Sequence, residues 1–282
     1  MKIEYCSIGH VALDVIGQQQ QSGGSVLFGA QLASNLGYKT AGVTSSDVRF
    51  PFSDYPNIDW SIQFSTRTTQ FIHTYQGDQR LSFLKDRADT ILESSIVKAV
   101  RNSKVVMLAP ILDEITPQAI SHFSTPWIGL TPQGWFRKTD EAGNISFAKS
   151  IFQSLPKKIK LIVVSQDDIA NDPSAWDWVK KFSEVSVCTM GKYGYRLSFG
   201  NIEKQFAPIE VVKEKNPTGC GDIFSTSALL LMSIGFEPIK ACEIAGQAAA
   251  ISSLQDDVLQ SASASAKYLL PYFTQKQSFE DA

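Results

Sequence analysis

An α/β fold on a mainly parallel central sheet is what this sequence predicts, and three observations carry the prediction. Short runs rich in β-branched residues alternate with stretches of helical periodicity, beginning with a strand over 3–9, a helix over 22–37 and a strand over 40–44. Strand, helix, strand in that order asks for a parallel pair joined by a right-handed crossover. Four later runs, at 105–110, 127–130, 159–164 and 185–190, end in loops of Gly, Ser, Thr or acidic residues. In an open parallel sheet such loops share one rim, outside the carboxyl ends of the strands, where ligands bind. Finally, a chain of 282 residues with no internal repeat and no long linker reads as one domain over 1–282.

The elements follow in order. Residues 3–9 form a buried strand ending at glycine, and 11–16 continue as a second extended piece whose apolar run is interrupted by Asp14. The glutamines at 18–21 read as a turn or exposed loop. Val26, Leu27, Ala30, Leu32, Ala33 and Leu36 give one helical face, opened by Gly23-Gly24 and closed by Gly37. Residues 60–87 differ in character: polar and apolar positions alternate over 60–64, 68–75 and 80–84, and Gln76-Gly77-Asp78-Gln79 supplies a hairpin turn. This predicts a small antiparallel sheet inserted in the domain, with 10–22 contributing, placed as a lid over a cleft. His73 lies inside the alternation and reads as a sheet-face residue. A small sheet with an apolar face asks for cover, so lid movement or a homodimer through the lid is expected. Past residue 89, helices are expected at 94–101 and 116–123, and a hairpin over 195–206. Two helices follow, one ending near Gly235 and an alanine-rich one starting at Pro238. A polar tail of small residues is expected over 255–267.

Asn216-Pro217-Thr218-Gly219-Cys220-Gly221-Asp222 runs straight into the apolar stretch Ile223-Phe224 and beyond. Glycines around a small residue, an acid and then a helical pattern describe a tight turn feeding a helix N-terminus. Two readings stand for it. An acid in the first turn of a helix is favoured by the macrodipole alone. The same turn also presents unpaired backbone N–H groups to an anion, and a carboxylate beside them is placed to take a proton from an attacking hydroxyl.

Composition narrows the chemistry. A net charge of -2, with 19% charged residues, gives no electrostatic reason for a nucleic-acid or membrane partner. Cys6, Cys188, Cys220 and Cys242 are widely spaced, with no metal-ligand pattern, which implies a reducing compartment. No apolar run reaches about 18 residues. A cytoplasmic protein acting on a small molecule is therefore expected.

The motifs together resemble the ribokinase-like (PfkB) carbohydrate kinases, over nearly the whole chain. The family's DTxGAGDxF signature is matched by residues 216–224 with three departures, and its paired glycines before a helix ending in Leu-Gly are matched by Gly23-Gly24 and Leu36-Gly37. Its Thr-x-Gly-x-x-Gly is matched by Thr189, Gly191 and Gly194. The resemblance implies a three-layer α/β/α sandwich with a small β lid and an ATP- and Mg²⁺-dependent kinase acting on the hydroxyl of a small polyol, cyclitol, sugar or nucleoside. It implies Asp222 as base and Gly219, Cys220 and Gly221 as the anion hole. Thr189, Gly191, Gly194, Asn216 and Thr218 would serve the nucleotide, and Asp14, Gly23, Gly24 and Arg137 the acceptor. Asp168, in Ser165-Gln166-Asp167-Asp168, would stand for the glutamate of the family's Asn-x-x-Glu and hold Mg²⁺ through water. No GxxxxGK[ST] loop occurs, so a Walker-type kinase is not expected. Three departures bear on function: Phe28 replaces a sugar-binding asparagine, Asn216 replaces an aspartate that shapes a cation site, and Asp168 is one methylene short. They keep open an alternative, a catalytically degenerate binding or regulatory protein on the same fold.

Overall fold

Strands buried along their whole length need covering layers on both faces, and a parallel sheet between helices supplies them. The computed structural model describes residues 3–76, 79–100, 103–147, 154–170, 172, 174–208 and 214–280. In chain order, β1 (Tyr5–Ile8), β2 (Ala12–Ile16) and β3 (Gln19–Gly23) precede α1 (Ser25–Asn35). Next come β4 (Thr40–Ser46), β5 (Ile58–Phe64), β6 (Thr69–Gln76), β7 (Gln79–Asp86) and α2 (Glu93–Val100). They are followed by β8 (Val105–Leu108), β9 (Trp127–Leu130), β10 (Arg137–Thr139), β11 (Ile145–Phe147), β12 (Ile159–Ser165), α3 (Gln166–Ile169), α4 (Ser174–Phe182) and β13 (Ser183–Thr189). Then β14 (Tyr195–Phe199), β15 (Ile202–Phe206), α5 (Cys220–Ser233), α6 (Pro238–Ser252) and α7 (Val258–Glu280) follow.

The large sheet has nine strands in the order β15-β14-β13-β12-β9-β8-β1-β4-β5. It is parallel from β13 to β5, and only the β14/β15 hairpin runs antiparallel. Alternate residues feed two cores. Tyr5, Val105, Met107, Leu161, Val163, Val185 and Val187 point to one side, where α1, α5, α6 and α7 pack. Cys6, Ile8, Val106, Leu108, Ile162, Val164 and Cys188 point to the other, with Ile96 of α2 and Trp176 and Val179 of α4. This is the expected three-layer sandwich. α5 is buried at every position from Ile223 to Met232 because it lies between the sheet and the other helices. The alanines of α6 let it sit close on α5.

The small sheet is ordered β3-β2-β6-β7. It is mixed rather than wholly antiparallel: β2 and β6 run parallel, and the outer pairs antiparallel. Its inner face, with Ala12, Phe71 and Leu84, rests on Ile111 and Leu112 in the loop after β8. Other expectations change here as well. Residues 60–64 belong to β5, the edge of the large sheet, where one covered face produces the same alternation as a lid strand. The glutamines of 18–21 lie largely in β3, an edge strand that needs no apolar face because its side chains stay mostly in water. The polar tail from 255 is mostly α7: Ser261, Ala262, Ser265 and Ala266 are buried on a seam of small residues. Ser265 Oγ donates to Ala248 O of α6 at 2.9 Å, so its hydroxyl is buried at little cost. The hairpin residues Gly77 and Asp78 lie outside the described residues, although Gln76 and Gln79 pair across it. The helix expected at 94–101 is α2, and Arg101 is also outside them. Residues 117–122 form a 3-10 turn rather than an α-helix.

Candidate active site

The turn before α5 is built by its own side chains. Asn216 Oδ1 accepts from the N–H of Thr218 at 2.9 Å, closing an Asx turn, and Asn216 Nδ2 donates to Asp256 O at 3.2 Å. The N–H groups of Lys215 and Asn216 both donate to Ser253 O, so the turn is tied to the end of α6. Asn216 therefore has a structural task that an aspartate could only half perform, since a carboxylate has no N–H to give Asp256 O. Gly219, the N-cap of α5, sits in the left-handed region at φ 80, where a side chain is strained. A Cβ there would also lie 2.2 Å from the ring of Phe28.

Cys220 N–H turns back to Pro217 O at 3.3 Å. Among the described residues none accepts from the N–H of Gly219 or Gly221, and the space beside Gly221 is open. The donors of this helix end are thus the two glycines more than Cys220. Burial pushes the Cys220 thiol up to about 12, which suits packing rather than thiolate chemistry. Asp222 is half-buried in the first turn, its N–H on Gly219 O at 3.0 Å. One turn on, Thr226 Oγ1 meets Tyr5 Oη of β1 at 3.2 Å, so the front of α5 is fixed against the sheet.

The second set of residues lies where the small sheet joins α1. Gly24 is the N-cap of α1, and Phe28 is in the turn that follows. Gly23 is required by a neighbour rather than by its own backbone: a Cβ would fall 2.2 Å from Oδ2 of Asp14. Asp14 is buried, and its Oδ1 is 3.1 Å from Nε2 of the equally buried His73. Phe28 packs on Gly219 from this side, so the ring of one residue separates the two helix N-termini.

Thr189 ends β13 with its hydroxyl on Val164 O at 3.3 Å, and the chain turns through Gly191 to Gly194 into β14. Nothing lies within 4 Å of the position a Cβ would take at Gly191, which leaves the rim open there. Asp168, in α3 just past the end of β12, is held in a capping box: Oδ2 accepts from Ser165 N–H and Oγ–H, at 3.1 and 2.6 Å, and Oδ1 from Gln133 Nε2 at 3.2 Å. Arg137 opens β10 and donates from Nη1 to Ile111 O at 3.3 Å, beneath the small sheet. It does so from the small two-stranded sheet rather than from the main rim.

Two residues that sequence reading passed over hold the rim together. Glu114 is fully buried and accepts from the N–H groups of His10, Ile111 and Leu112 at 3.0, 3.0 and 2.8 Å. His10, also fully buried, reaches Asp89 O through Nε2 and Thr69 Oγ1 through Nδ1, both at 2.9 Å. Among the described residues no group of three His, Cys, Asp or Glu is arranged to hold a metal, and no helix is long and apolar enough to cross a membrane.

With this geometry in hand, likeness to solved structures is decisive for the architecture. A pyrophosphate-dependent kinase of the ribokinase family, in a sulfate complex, superposes with a TM-score of 0.78 over 93% of this chain and 99% of its own, at 20% identity. The chain has the ribokinase fold. A pyrophosphate-dependent kinase of that family bound to a pyrophosphate analogue and myo-inositol matches at TM-score 0.75 and 20% identity, over 92% of this chain and 98% of its own. The inosine complex of a nucleoside kinase from Burkholderia thailandensis matches at TM-score 0.73 and 16% identity, over 96% and 97%. No family model and no curated protein matches the sequence. Within the ribokinase fold, the candidate residues other than Arg137 fall on the rim and on the small sheet beside it, the region expected of a ligand site in an open α/β sheet.

Proposed function

We propose that the chain is a kinase that transfers the γ-phosphoryl group of ATP, with Mg²⁺, to a hydroxyl of a small polyol, cyclitol, sugar or nucleoside. The contact of Phe28 with Gly219 carries this reading, because it sets the Asp14-Gly23-Gly24 side against the Gly219–Asp222 turn, one aromatic ring apart. Asp222 would take the proton of the acceptor hydroxyl, and the N–H groups of Gly219 and Gly221 would receive the phosphoryl oxygens. Phosphoryl transfer asks for fixed donors and positioning more than for covalent chemistry. Thr189, Gly191, Gly194, Asn216 and Thr218 would line the nucleotide side, where open space at Gly191 fits a close-lying phosphate chain. Arg137 would serve the acceptor side from below the small sheet.

Bound Mg²⁺ would neutralise phosphate charge. Both oxygens of Asp168 already accept hydrogen bonds, which suits a contact through water, using remaining lone pairs, better than direct ligation. Phe28 in place of an amide makes the acceptor site less polar, which favours a ligand with an apolar face. We place the protein in the cytoplasm and assign the outer face of the small sheet, with Leu81 and Phe83 partly exposed, to a homodimer contact. A second donor is favoured by one observation, the likeness to structures of pyrophosphate-dependent kinases.

The test is phosphate transfer from ATP-Mg²⁺ and, in parallel, from pyrophosphate-Mg²⁺, to myo-inositol, ribose and inosine, read by phosphorus NMR of the product. Product with ATP supports the proposal. Product with pyrophosphate alone reassigns the donor, and acceptor binding with neither product selects the degenerate binding protein. A second expectation concerns Gly23→Ala. Its Cβ would fall 2.2 Å from Asp14 Oδ2 and displace the carboxylate, and a displacement of about 1 Å in a positioning group costs about 10²-fold. Acceptor kcat/KM should fall by about that much with the donor KM unchanged; an unchanged acceptor profile would remove Asp14 from the acceptor site.

A further inference from the structure

We propose that His73 is the positioning residue of the acceptor site, fixing the Asp14 carboxylate through the chain Asp14, His73, Ser82. The proposal rests on the assignment of Asp14 to the acceptor, and the small sheet supplies the geometry. Asp14 lies opposite Phe71 in the parallel β2/β6 pair, and His73 is two residues further along the same face. From there Nε2 reaches Asp14 Oδ1 at 3.1 Å, while Nδ1 reaches Ser82 Oγ at 2.9 Å, and Ser82 is the residue directly across in β7. The ring of Phe71 lies alongside His73 with an interplanar angle of 22° and a centroid distance of 6.0 Å, which restrains the imidazole plane. Neither free rotation nor solvent competes with the pair: the side chains of His73 and Asp14 are 6% and 12% exposed.

An ordinary sheet-face role does not account for this arrangement. The same face carries Ala12, Phe71 and Leu84, packed on Ile111 and Leu112, and an apolar pair at 14 and 73 would extend that core. Burying an imidazole and a carboxylate instead costs desolvation that their contact only offsets, so the pair is explained by what the carboxylate does next. Its second oxygen is aimed away from His73: Oδ2 occupies the place that a Cβ at Gly23 would fill, immediately before the N-cap of α1. An ionised carboxylate only accepts, so Nε2 donates to Asp14, while the Ser82 hydroxyl, able to donate or accept, pairs with Nδ1. The carboxylate thus selects which ring nitrogen faces it with a proton, Ser82 braces the ring from its far nitrogen, and Oδ2 is left presented to a substrate hydroxyl.

The experiment is calorimetric titration of the full chain with myo-inositol, ribose and inosine, together with ¹⁵N-histidine NMR. The spectrum should show His73 protonated at Nε2, in the wild type and in Ser82→Ala alike. For whichever probe binds, His73→Leu should weaken affinity by about tenfold or more, the scale of a lost hydrogen bond to a charged group. His73→Gln, which can still present an N–H, should return affinity to within about threefold of wild type. Equal weakening in His73→Leu and His73→Gln would mean that ring shape matters rather than the donor, and would overturn the proposal. So would unchanged affinity in His73→Leu, or an Nε2 found without its proton. If His73→Leu does not fold, His73→Gln and Ser82→Ala carry the same comparison. Where turnover is measurable, acceptor KM should rise while kcat and donor KM stay within about threefold, a split that general destabilisation does not produce. Binding without phosphate transfer removes the kinase reading and leaves His73 in its role; failure of the wild type to bind any of the probes removes both.

Discussion

Asp222→Asn should lower kcat by about 10²- to 10⁴-fold, the usual worth of a positioned general base. The substitution is isosteric, and Asn keeps an oxygen to accept from neighbouring N–H groups, so the fold has little reason to respond. Asp222 sits in the first turn of α5, where loss of its negative charge forfeits a favourable interaction with the helix dipole, about 0.3–1 kcal/mol. That cost is small beside a barrier change of about 3–5 kcal/mol, the equivalent of the rate loss at 1.36 kcal/mol per tenfold. The front of α5 is also held independently, by the Gly219 cap and by Thr226 on Tyr5. The thermal midpoint and the acceptor KM should therefore stay near wild type while turnover falls. A kcat within about tenfold of wild type would assign the base elsewhere and return the acid at 222 to helix capping.

What the sequence made legible were features whose causes are local. A left-handed N-cap admits glycine with least strain, so Gly219 could be found by its type and its place before an apolar run. The alternation of buried strand and helix was equally visible where a strand covered on both faces leaves a continuous apolar run, as β8 does over Val105–Leu108. The failures have a common origin in tertiary context. β3 is a strand because β2 offers it an open edge, and nothing in a glutamine tract announces that. The seam of α7 is made of serines and alanines, whose small size is valuable only against the close surface of α6. Asp14 and His73 are 59 positions apart, and each alone resembles a solvated strand residue. Their pairing becomes visible only once β2 and β6 are seen side by side.

Glu114 belongs to the same class and leads to the largest stability effect expected of any single substitution here. Between Asp113 and Ile115 it looks like one more loop acid, yet it is fully buried and receives three backbone N–H groups from two loops. Its own carbonyl accepts from Ile91 N–H at 2.9 Å, which brings in the segment between the small sheet and α2. His10, one of its donors, is hydrogen-bonded through its ring to Thr69 and Asp89. Glu114, through its carboxylate and its carbonyl, and with His10, therefore ties together the chain's crossing from β1 to β2, its return from β7 and the loop after β8 on which the small sheet rests. Glu114→Ala strands all three N–H groups; at about 1–3 kcal/mol for each unsatisfied buried group, less what water recovers in the space vacated, about 3–5 kcal/mol should be lost. Glu114→Gln should fall between, because the amide oxygen can replace one carboxylate oxygen but the NH₂ group meets the donor it faces. Urea unfolding of the three proteins measures the order, wild type above Gln above Ala. If Ala proved as stable as Gln, the N–H groups would have found water or each other's carbonyls, and the rim would owe its shape to packing instead. If the order holds, acceptor affinity should fall with it, since the loop that carries Ile111 and Leu112 also supports the sheet on which Asp14 is mounted.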